Sequence, residues 1–340
     1  VNLIMPFLMG ISALGFMIGT GGSAIVAKTL GEGKIENANE YFSMLVYITA
    51  IGGIIIAILS MFLVKPVAIL FGASGTLLDN CILYGRILCI SLPAFMLQNV
   101  FQSFFVTAEK PHLGLRVIVI AGVTNMVLDF LFVAVFHLGL PGAGLATVCG
   151  EFIGGLFPLF YFGRKNSSLL KLGKTHFHGR ILLKTCTNGS SELMTNLSSS
   201  VVNALYNMQL MKFAGEDGVA AYGTIMYVNF IFVSIFFGYA IGSAPIVSYH
   251  YGANNQDELK NLFHKSIRLI GTWAVSLFII AQLIATPLAT LFVGYDQGLF
   301  ELTRSGFRLY SFAFLINGFN IYGSAFFTAL NNGLLSALIS

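Results

Sequence analysis

The chain has 340 residues, of which 56% are hydrophobic and only 9% charged, and its mean hydropathy is +0.83. A soluble domain carries about 25% charged residues, so a soluble globular domain is excluded. No short strands of alternating polarity appear, which excludes a membrane β-barrel and leaves an all-α, polytopic membrane protein. The net charge of +4 is spread over short loops and implies no nucleic-acid partner. The four cysteines, Cys81, Cys89, Cys149 and Cys186, have neither metal-type nor obvious disulfide spacing.

The hydropathy pattern predicts nine full spans and the start of a tenth: 3–27, 42–64, 84–107, 114–136, 142–163, 189–213, 219–248, 266–292, 306–330, and 333 onward. The loops alternate in charge. Those at 28–41, 108–116, 164–187 and 249–268 carry 13 of the 18 basic residues, so the positive-inside rule makes them cytoplasmic. The chain opens at Val1 already in apolar sequence and stops at Ser340 inside another apolar run. The expectation is one further helix before Val1 and further helices after Ser340.

The longest polar stretch divides the chain into two parts that repeat. Gly22-Ser-Ala-Ile-Val matches Gly242-Ser-Ala-Pro-Ile-Val, and after the inserted Pro245 the register is constant. Ile25 pairs with Ile246, Gly31 with Gly252, Phe42 with Phe263, Pro66 with Pro287, Phe71 with Phe292 and Gly85 with Gly306 (252 − 31 = 221). Thr107-Ala108 likewise pairs with Thr328-Ala329. The fold expected is two pseudo-symmetric six-helix lobes. The N-terminal lobe covers 1–165, a cytoplasmic linker 166–188, and the C-terminal lobe 189–340. Six is even, so both lobes share one orientation, as in transporters built from parallel repeats. Pro66 and Pro287 are expected to end their helices.

Asp129 lies inside the fourth span, where a carboxylate costs about 2.5–3.5 kcal/mol and marks a functional position. Asn125 is four residues earlier on the same helix face, and Thr147 and Glu151 are four apart on the next span. A tight hairpin through His137–Gly142 brings these four together around a small cation or a proton. The competing reading for each is an interhelical hydrogen bond made for packing, worth about 0.6 kcal/mol on average. Glu151 is read as a tuner of the Asp129 site or as a second protonatable group. The sixth span carries a polar stripe of Glu192, Asn196, Ser199, Asn203 and Asn207, with Met208, Met211, Tyr222 and Tyr227 nearby. That stripe is the candidate surface for flat amphipathic cations. Arg86 and Arg308 are read as snorkelling residues and the basic linker, with His176 and His178, as a topology signal.

Several segments together resemble the multidrug and toxic compound extrusion family. They are Gly21-Gly-Ser-Ala-Ile-Val-Ala-Lys-Thr-Leu-Gly-Glu-Gly33, Phe104-Phe-Val-Thr-Ala-Glu-Lys-Pro111, Asn125-Met-Val-Leu-Asp129, Gly142-Ala-Gly-Leu-Ala-Thr147 and Tyr249-His-Tyr-Gly-Ala-Asn254. The resemblance covers nearly the whole chain and aligns it with about helix 2 to the start of helix 11 of a twelve-helix fold. It implies a monomeric, multi-pass protein of the cell membrane, with no cofactor, that exports organic cations and other amphipathic drugs in exchange for Na⁺ or H⁺. By that resemblance Asn125, Asp129 and Thr147 are the prokaryotic cation site, open to Na⁺. A second branch of the family uses a Glu in helix seven and an Asp in helix ten. Here helix ten has no Asp and Glu192 falls at the cytoplasmic start of helix seven, so the chain departs from that second pattern.

Two rival readings stand beside this one. A flippase for lipid-linked precursors or oligosaccharides, from the same superfamily, would carry a more cationic cleft. An intramembrane transferase would need an Asp-rich Mg²⁺-diphosphate site or a His-based site, and Asp129 with Glu151 does not make one, so the chain is not read as an enzyme.

Overall fold

The computed structural model describes residues 5–70 and 73–340. The first residues of the span at 3–27, and Phe71 of the Phe71–Phe292 pair, lie outside the described residues. The chain is a succession of long helices: α1 (Met5–Gly31), α2 (Ile35–Leu70), α3 (Gly75–Thr107), α4 (Pro111–Asp129), α5 (Gly139–Gly163), α6 (Gly179–Gly252), α7 (Gln256–Val293), α8 (Gln297–Tyr310), α9 (Phe314–Ala329) and α10 (Gly333–Ile339). A π-helical turn, Phe130–Val135, continues α4, and a 3₁₀ turn, Ser311–Ala313, joins α8 to α9. No strand occurs among the described residues.

Helix α6 is 74 residues long, which at 1.5 Å per residue would be about 110 Å, several bilayers deep. It is not one rod. Gly215 sits at φ 63°, ψ −152°, a conformation that suits glycine and few other residues. The chain turns back there, because Tyr222 meets Asn203 across the turn with its hydroxyl 2.7 Å from the amide oxygen. Eight described helices are long and apolar enough to cross a membrane. The reversal in α6 makes nine crossings, the number read from hydropathy.

Three boundaries differ from the sequence reading. Pro66 and Pro287 lie inside α2 and α7, which continue to Leu70 and Val293. The linker is irregular only to His178, since α6 begins at Gly179. Glu192 is therefore thirteen residues into its helix, about 20 Å from the first residue, and not at its start. Each discrepancy has one cause: hydropathy marks where a helix meets lipid, and these helices run on past the bilayer.

Each half has its own core. In the first, Phe42, Phe101, Phe104 and Phe162 are fully buried, with Phe42 4.8 Å from Phe104 and 5.2 Å from Phe162 between ring centroids. In the second, Phe232, Phe236, Phe307, Phe314 and Tyr322 pack together. The linker belongs to the first core. Leu170 is fully buried in it, and Ile181 and Leu182 at the start of α6 pack against it. The backbone of the linker is strapped to α2. Asn39 accepts from the Lys171 N–H (2.6 Å), Ser43 accepts from the Gly173 N–H (3.0 Å), and the Tyr47 hydroxyl donates to the Gly173 carbonyl (3.1 Å). Farther along, His176 and His178 both lie against the Glu40 carboxylate, at 2.9 and 3.1 Å.

The repeat has a conformational signature. Gly33 (φ 78°) and Asn254 (φ 55°) make equivalent left-handed turns after α1 and α6, 221 residues apart. The two halves meet along α1 and α6 on the side that the basic loops assign to the cytoplasm. Gly31 packs on the carbonyl of Tyr249 and Gly252 on the carbonyl of Lys28, so the register mates face one another. Farther along, Gly21 packs on Thr185 and Gly189, and Gly189 packs on Met17. Only residues without a side chain allow two helix backbones this close.

Candidate ion-coupling site

The candidate site is assembled where α3, α4 and α5 come together. Helix α4 brings Asn125 and Asp129 to one face, and α5 lies against it through Gly150, which abuts the Ala121 carbonyl and the Asn125 Cβ. The close approach brings Asn125 Nδ2 to 3.4 Å from Thr147 Oγ1, while that hydroxyl donates to the Ala143 carbonyl at 3.0 Å. Asp129 Oδ1 is buried and has no hydrogen-bond partner among the described residues. On the outer face of α4, Met126, Val127 and Phe130 are exposed, as lipid-facing residues should be.

Helix α3 contributes residues that the sequence reading missed. Tyr84 is buried and packs against Gly144, one turn before Thr147 on α5. Ser91 is also buried, and its hydroxyl donates to the Leu88 carbonyl of its own helix at 3.1 Å. Gln98 lies farther along, where its carboxamide fills the notch left by Gly154. Tyr84, Ser91 and Gln98 follow a seven-residue spacing, so one stripe of α3 faces the site. That stripe was the available signal. Of the expected residues, Asn125 and Thr147 meet; Asp129 lies one helical turn outward of Asn125, and Glu151 one turn inward of Thr147.

The chemistry of the region is that of a cluster of oxygen donors. Asp129, the Asn125 carboxamide and the hydroxyls of Thr147 and Tyr84 are hard donors, suited to Na⁺ or to a proton and poorly suited to a soft metal. The orphaned Oδ1 of Asp129 fits such a guest, because a buried polar atom without a partner is costly. No ion pair among the described residues involves Asp129 or Glu151. No cluster of three or more His, Cys, Asp or Glu side chains is arranged to hold a metal among the described residues. The helix after Asp129 is widened into the π turn, with Phe136 N–H donating to the Leu131 carbonyl at 2.8 Å. Such turns recur at functional sites, where the extra residue re-aims the neighbouring side chains.

The MatE family profile matches residues 1–131 and 193–340, most of the chain. The chain belongs to the MatE family. Among curated relatives, the Multidrug export protein MepA of Staphylococcus saprophyticus is 22% identical over 325 residues, covering 94% of this chain and 72% of the relative. MepA of Staphylococcus haemolyticus is 25% identical over 255 residues, covering 75% of this chain and 56% of that protein. Among solved structures, a crystal structure of MATE in the straight conformation superposes with a TM-score of 0.93 at 22% identity, covering 99% of this chain and 76% of the other. An outward-facing multidrug resistance MATE family transporter of the MOP superfamily also gives 0.93 at 22% identity, with the same coverage. The MatE chain described here is thus a multi-pass transporter of the cell membrane.

In the second half of this MatE protein the polar stripe is only partly gathered. Asn203 accepts the Tyr222 hydroxyl at 2.7 Å, and Tyr206 stacks on Tyr222 with centroids 5.3 Å apart and planes 6° from parallel. Asn196 donates to the Glu192 carbonyl of its own helix at 2.7 Å, and Glu192 is half-buried. Asn207, Met208 and Met211 are exposed. Tyr227 does not join the group: it is exposed and lines a shallow surface depression with Gly223, Met226, Phe230 and Ile231.

Proposed function

We propose that this protein is a secondary active antiporter that exports amphipathic or cationic drugs or toxins in exchange for Na⁺ or H⁺. The two halves, 1–165 and 189–340, would move as lobes in alternating access. The observation that carries the reading is the buried, unpartnered Oδ1 of Asp129, one helical turn from Asn125 and its contact with Thr147, in a MatE chain. A cation or proton that binds Asp129 more tightly in one cleft orientation biases the lobes toward that orientation. Such differential binding is all that coupling requires. The glycine seam between α1 and α6 supports the assignment of this structure to a state closed at the cytoplasm. The names of the staphylococcal relatives support drugs as the cargo class. Glu192, Asn196, Asn203, Asn207 and Met208 are proposed to face that cargo, with the stacked pair Tyr206–Tyr222 offering a flat surface to it.

The test uses vesicles of the full-length protein, wild type or Asp129→Asn, loaded with ethidium and given a Na⁺ gradient or a pH gradient separately. Gradient-driven ethidium movement, lost in the mutant, is the expected result, and the effective gradient names the ion. No movement under either gradient, with folded protein present, overturns the reading in favour of the lipid-linked precursor flippase.

A further inference from the structure

The segment between the two halves carries charge that the fold leaves unspent. From Arg164 to Lys184 it holds six basic residues, Arg164, Lys165, Lys171, Lys174, Arg180 and Lys184, and no Asp or Glu. All six are exposed, and none has an ion-pair partner among the described residues. Three large apolar side chains stand out among them: Leu169 is 41% exposed, Leu183 65% and Phe177 74%. Unpaired positive charge interleaved with exposed apolar groups suits a surface that rests on an anionic bilayer.

The place of the segment on α2 fixes its depth. Glu40, Ser43, Tyr47, Ile51, Ile54 and Ile58 recur at three- and four-residue steps and share one face of that helix. Ile51, Ile54 and Ile58 are each more than half exposed, as a lipid-facing row is. The linker crosses the other end of the same row. The Thr175 hydroxyl donates to the Glu40 carbonyl, the Gly173 N–H to the Ser43 hydroxyl, and the Tyr47 hydroxyl to the Gly173 carbonyl. The apolar run of α2 begins at 42, so Tyr47 is five residues, or about 8 Å, inside it. The linker therefore lies where α2 enters the bilayer, at the level of the headgroups.

Phe177 is held in place on both sides. The His176 N–H and ring both lie against the Glu40 carboxylate, and the His178 N–H donates to Met44 Sδ at 3.1 Å. With both neighbours tied to α2, the Phe177 ring stands outward. Beside it a groove of about 410 Å³ opens between linker and helix. Lys171, Lys174 and His176 line it on one side and Glu36, Asn39 and Ser43 on the other. The Glu40 carboxylate in its wall is already engaged by His176 and His178, so the two lysines outweigh Glu36.

We infer that the linker is a lipid-binding strap: Lys171 and Lys174 take the phosphate of an anionic phospholipid in the leaflet on the side assigned to the cytoplasm, and Phe177 dips into the acyl boundary beside it. The inference does not depend on the antiport reading. Adhesion to the leaflet falls on the first half, because the linker is strapped to α2.

The experiment puts a tryptophan at the tip. Phe177→Trp is combined with Trp273→Phe, which removes the one native tryptophan, in full-length protein in nanodiscs of equal parts phosphatidylglycerol and phosphatidylcholine. Bromine on the acyl chains of one lipid or the other quenches a tryptophan that it touches. Brominated phosphatidylglycerol is expected to quench roughly fivefold more strongly, the factor for one basic residue near an anionic surface. Adding Lys171→Gln and Lys174→Gln should make the two lipids equal. High salt should narrow the preference and leave the quenching, because salt screens the lysines and not the apolar contact. No quenching by either lipid places the linker in water and overturns the inference. Equal quenching before the lysines are changed, or an unchanged preference after, overturns it as well. A preference removed by inorganic phosphate at constant ionic strength means that the groove takes free phosphate, and the lipid assignment falls. The unsubstituted chain gives an independent readout by native mass spectrometry: phosphatidylglycerol should be retained over phosphatidylcholine and lost in Lys171→Gln/Lys174→Gln, and equal retention in both proteins overturns the inference.

Discussion

Replacing Gly252 by alanine tests whether the seam between α1 and α6 sets the resting orientation of the lobes. A Cβ at Gly252 would stand 2.8 Å from the carbonyl carbon of Lys28 and 3.0 Å from its Cα. Ordinary carbon contacts need about 3.5–4.0 Å, so the deficit is about 0.5–1.2 Å. The obstructing atoms are backbone, and no rotamer change relieves them; the helices must part. Overpacking of this size costs about 1–3 kcal/mol. The cost falls on the state with the seam closed and on no other, so the equilibrium should move about 5–150-fold toward a cytoplasm-open form. Spin labels at Lys34, in the turn after α1, and at Asp257, in the first turn of α7, both exposed and on the two sides of the seam, would report it. Electron–electron distance measurement should show a longer-distance population that is minor in the parent. Gly31→Ala should act in the same direction, since a Cβ there would lie 2.9 Å from the Tyr249 carbonyl carbon and 3.0 Å from the Ala253 nitrogen. Distance distributions unchanged in both mutants would refute the argument.

Three further outcomes follow from single contacts. Thr147→Val removes the hydroxyl that the Asn125 amide reaches; at about 1 kcal/mol for a lost hydrogen bond, the half-saturating concentration of the coupling ion should rise roughly fivefold in ethidium-exchange assays. Asn39→Ala frees the linker backbone at Leu169 and Lys171, so limited trypsin digestion at Lys171 and Lys174 should be faster than in the parent at equal protein stability elsewhere. Gly215→Ala places a Cβ at φ 63°, ψ −152°; the strain of about 1–3 kcal/mol should lower the thermal midpoint in detergent, and an unchanged midpoint would mean that the turn is built differently.

Much of this architecture was written in the chain at the level of lipid contact. Nine crossings, the 221-residue repeat and the meeting of Asn125 with Thr147 follow from hydropathy and helical spacing, because a buried polar group in lipid has few innocent explanations. Helix ends were less legible. The reach of α2 past Pro66, and the start of α6 at Gly179, lie outside the apolar core where hydropathy is silent. The α3 contribution was overlooked because Tyr84, Ser91 and Gln98 are individually ordinary in a membrane helix, and only their shared stripe gives them meaning. The π turn after Asp129 has no compositional mark: Phe-Leu-Phe-Val-Ala-Val would continue an α-helix as readily. The Tyr227 grouping failed for a geometric reason. Five residues from Tyr222 is a rotation of about 140° around the helix, which carries it to another face.

The strapping of the linker changes what must bend when the halves separate. A polar, basic segment between two repeats suggests a slack cord, but Leu170 is buried in the first core and Ile181 and Leu182 extend that burial into α6. The opening residues of α6 are thus mechanically part of the first half, although the rest of the helix serves the second. Motion between halves has to be absorbed beyond Leu182, within the same helical stretch that presses Gly189 onto Met17. Flexure and closure share one stretch of backbone, so a residue that stiffens it will slow both opening and resealing. A chain cut at Gly173 would keep its halves in register, because the severed ends remain pinned to α2 by hydrogen bonds at Asn39 and Glu40.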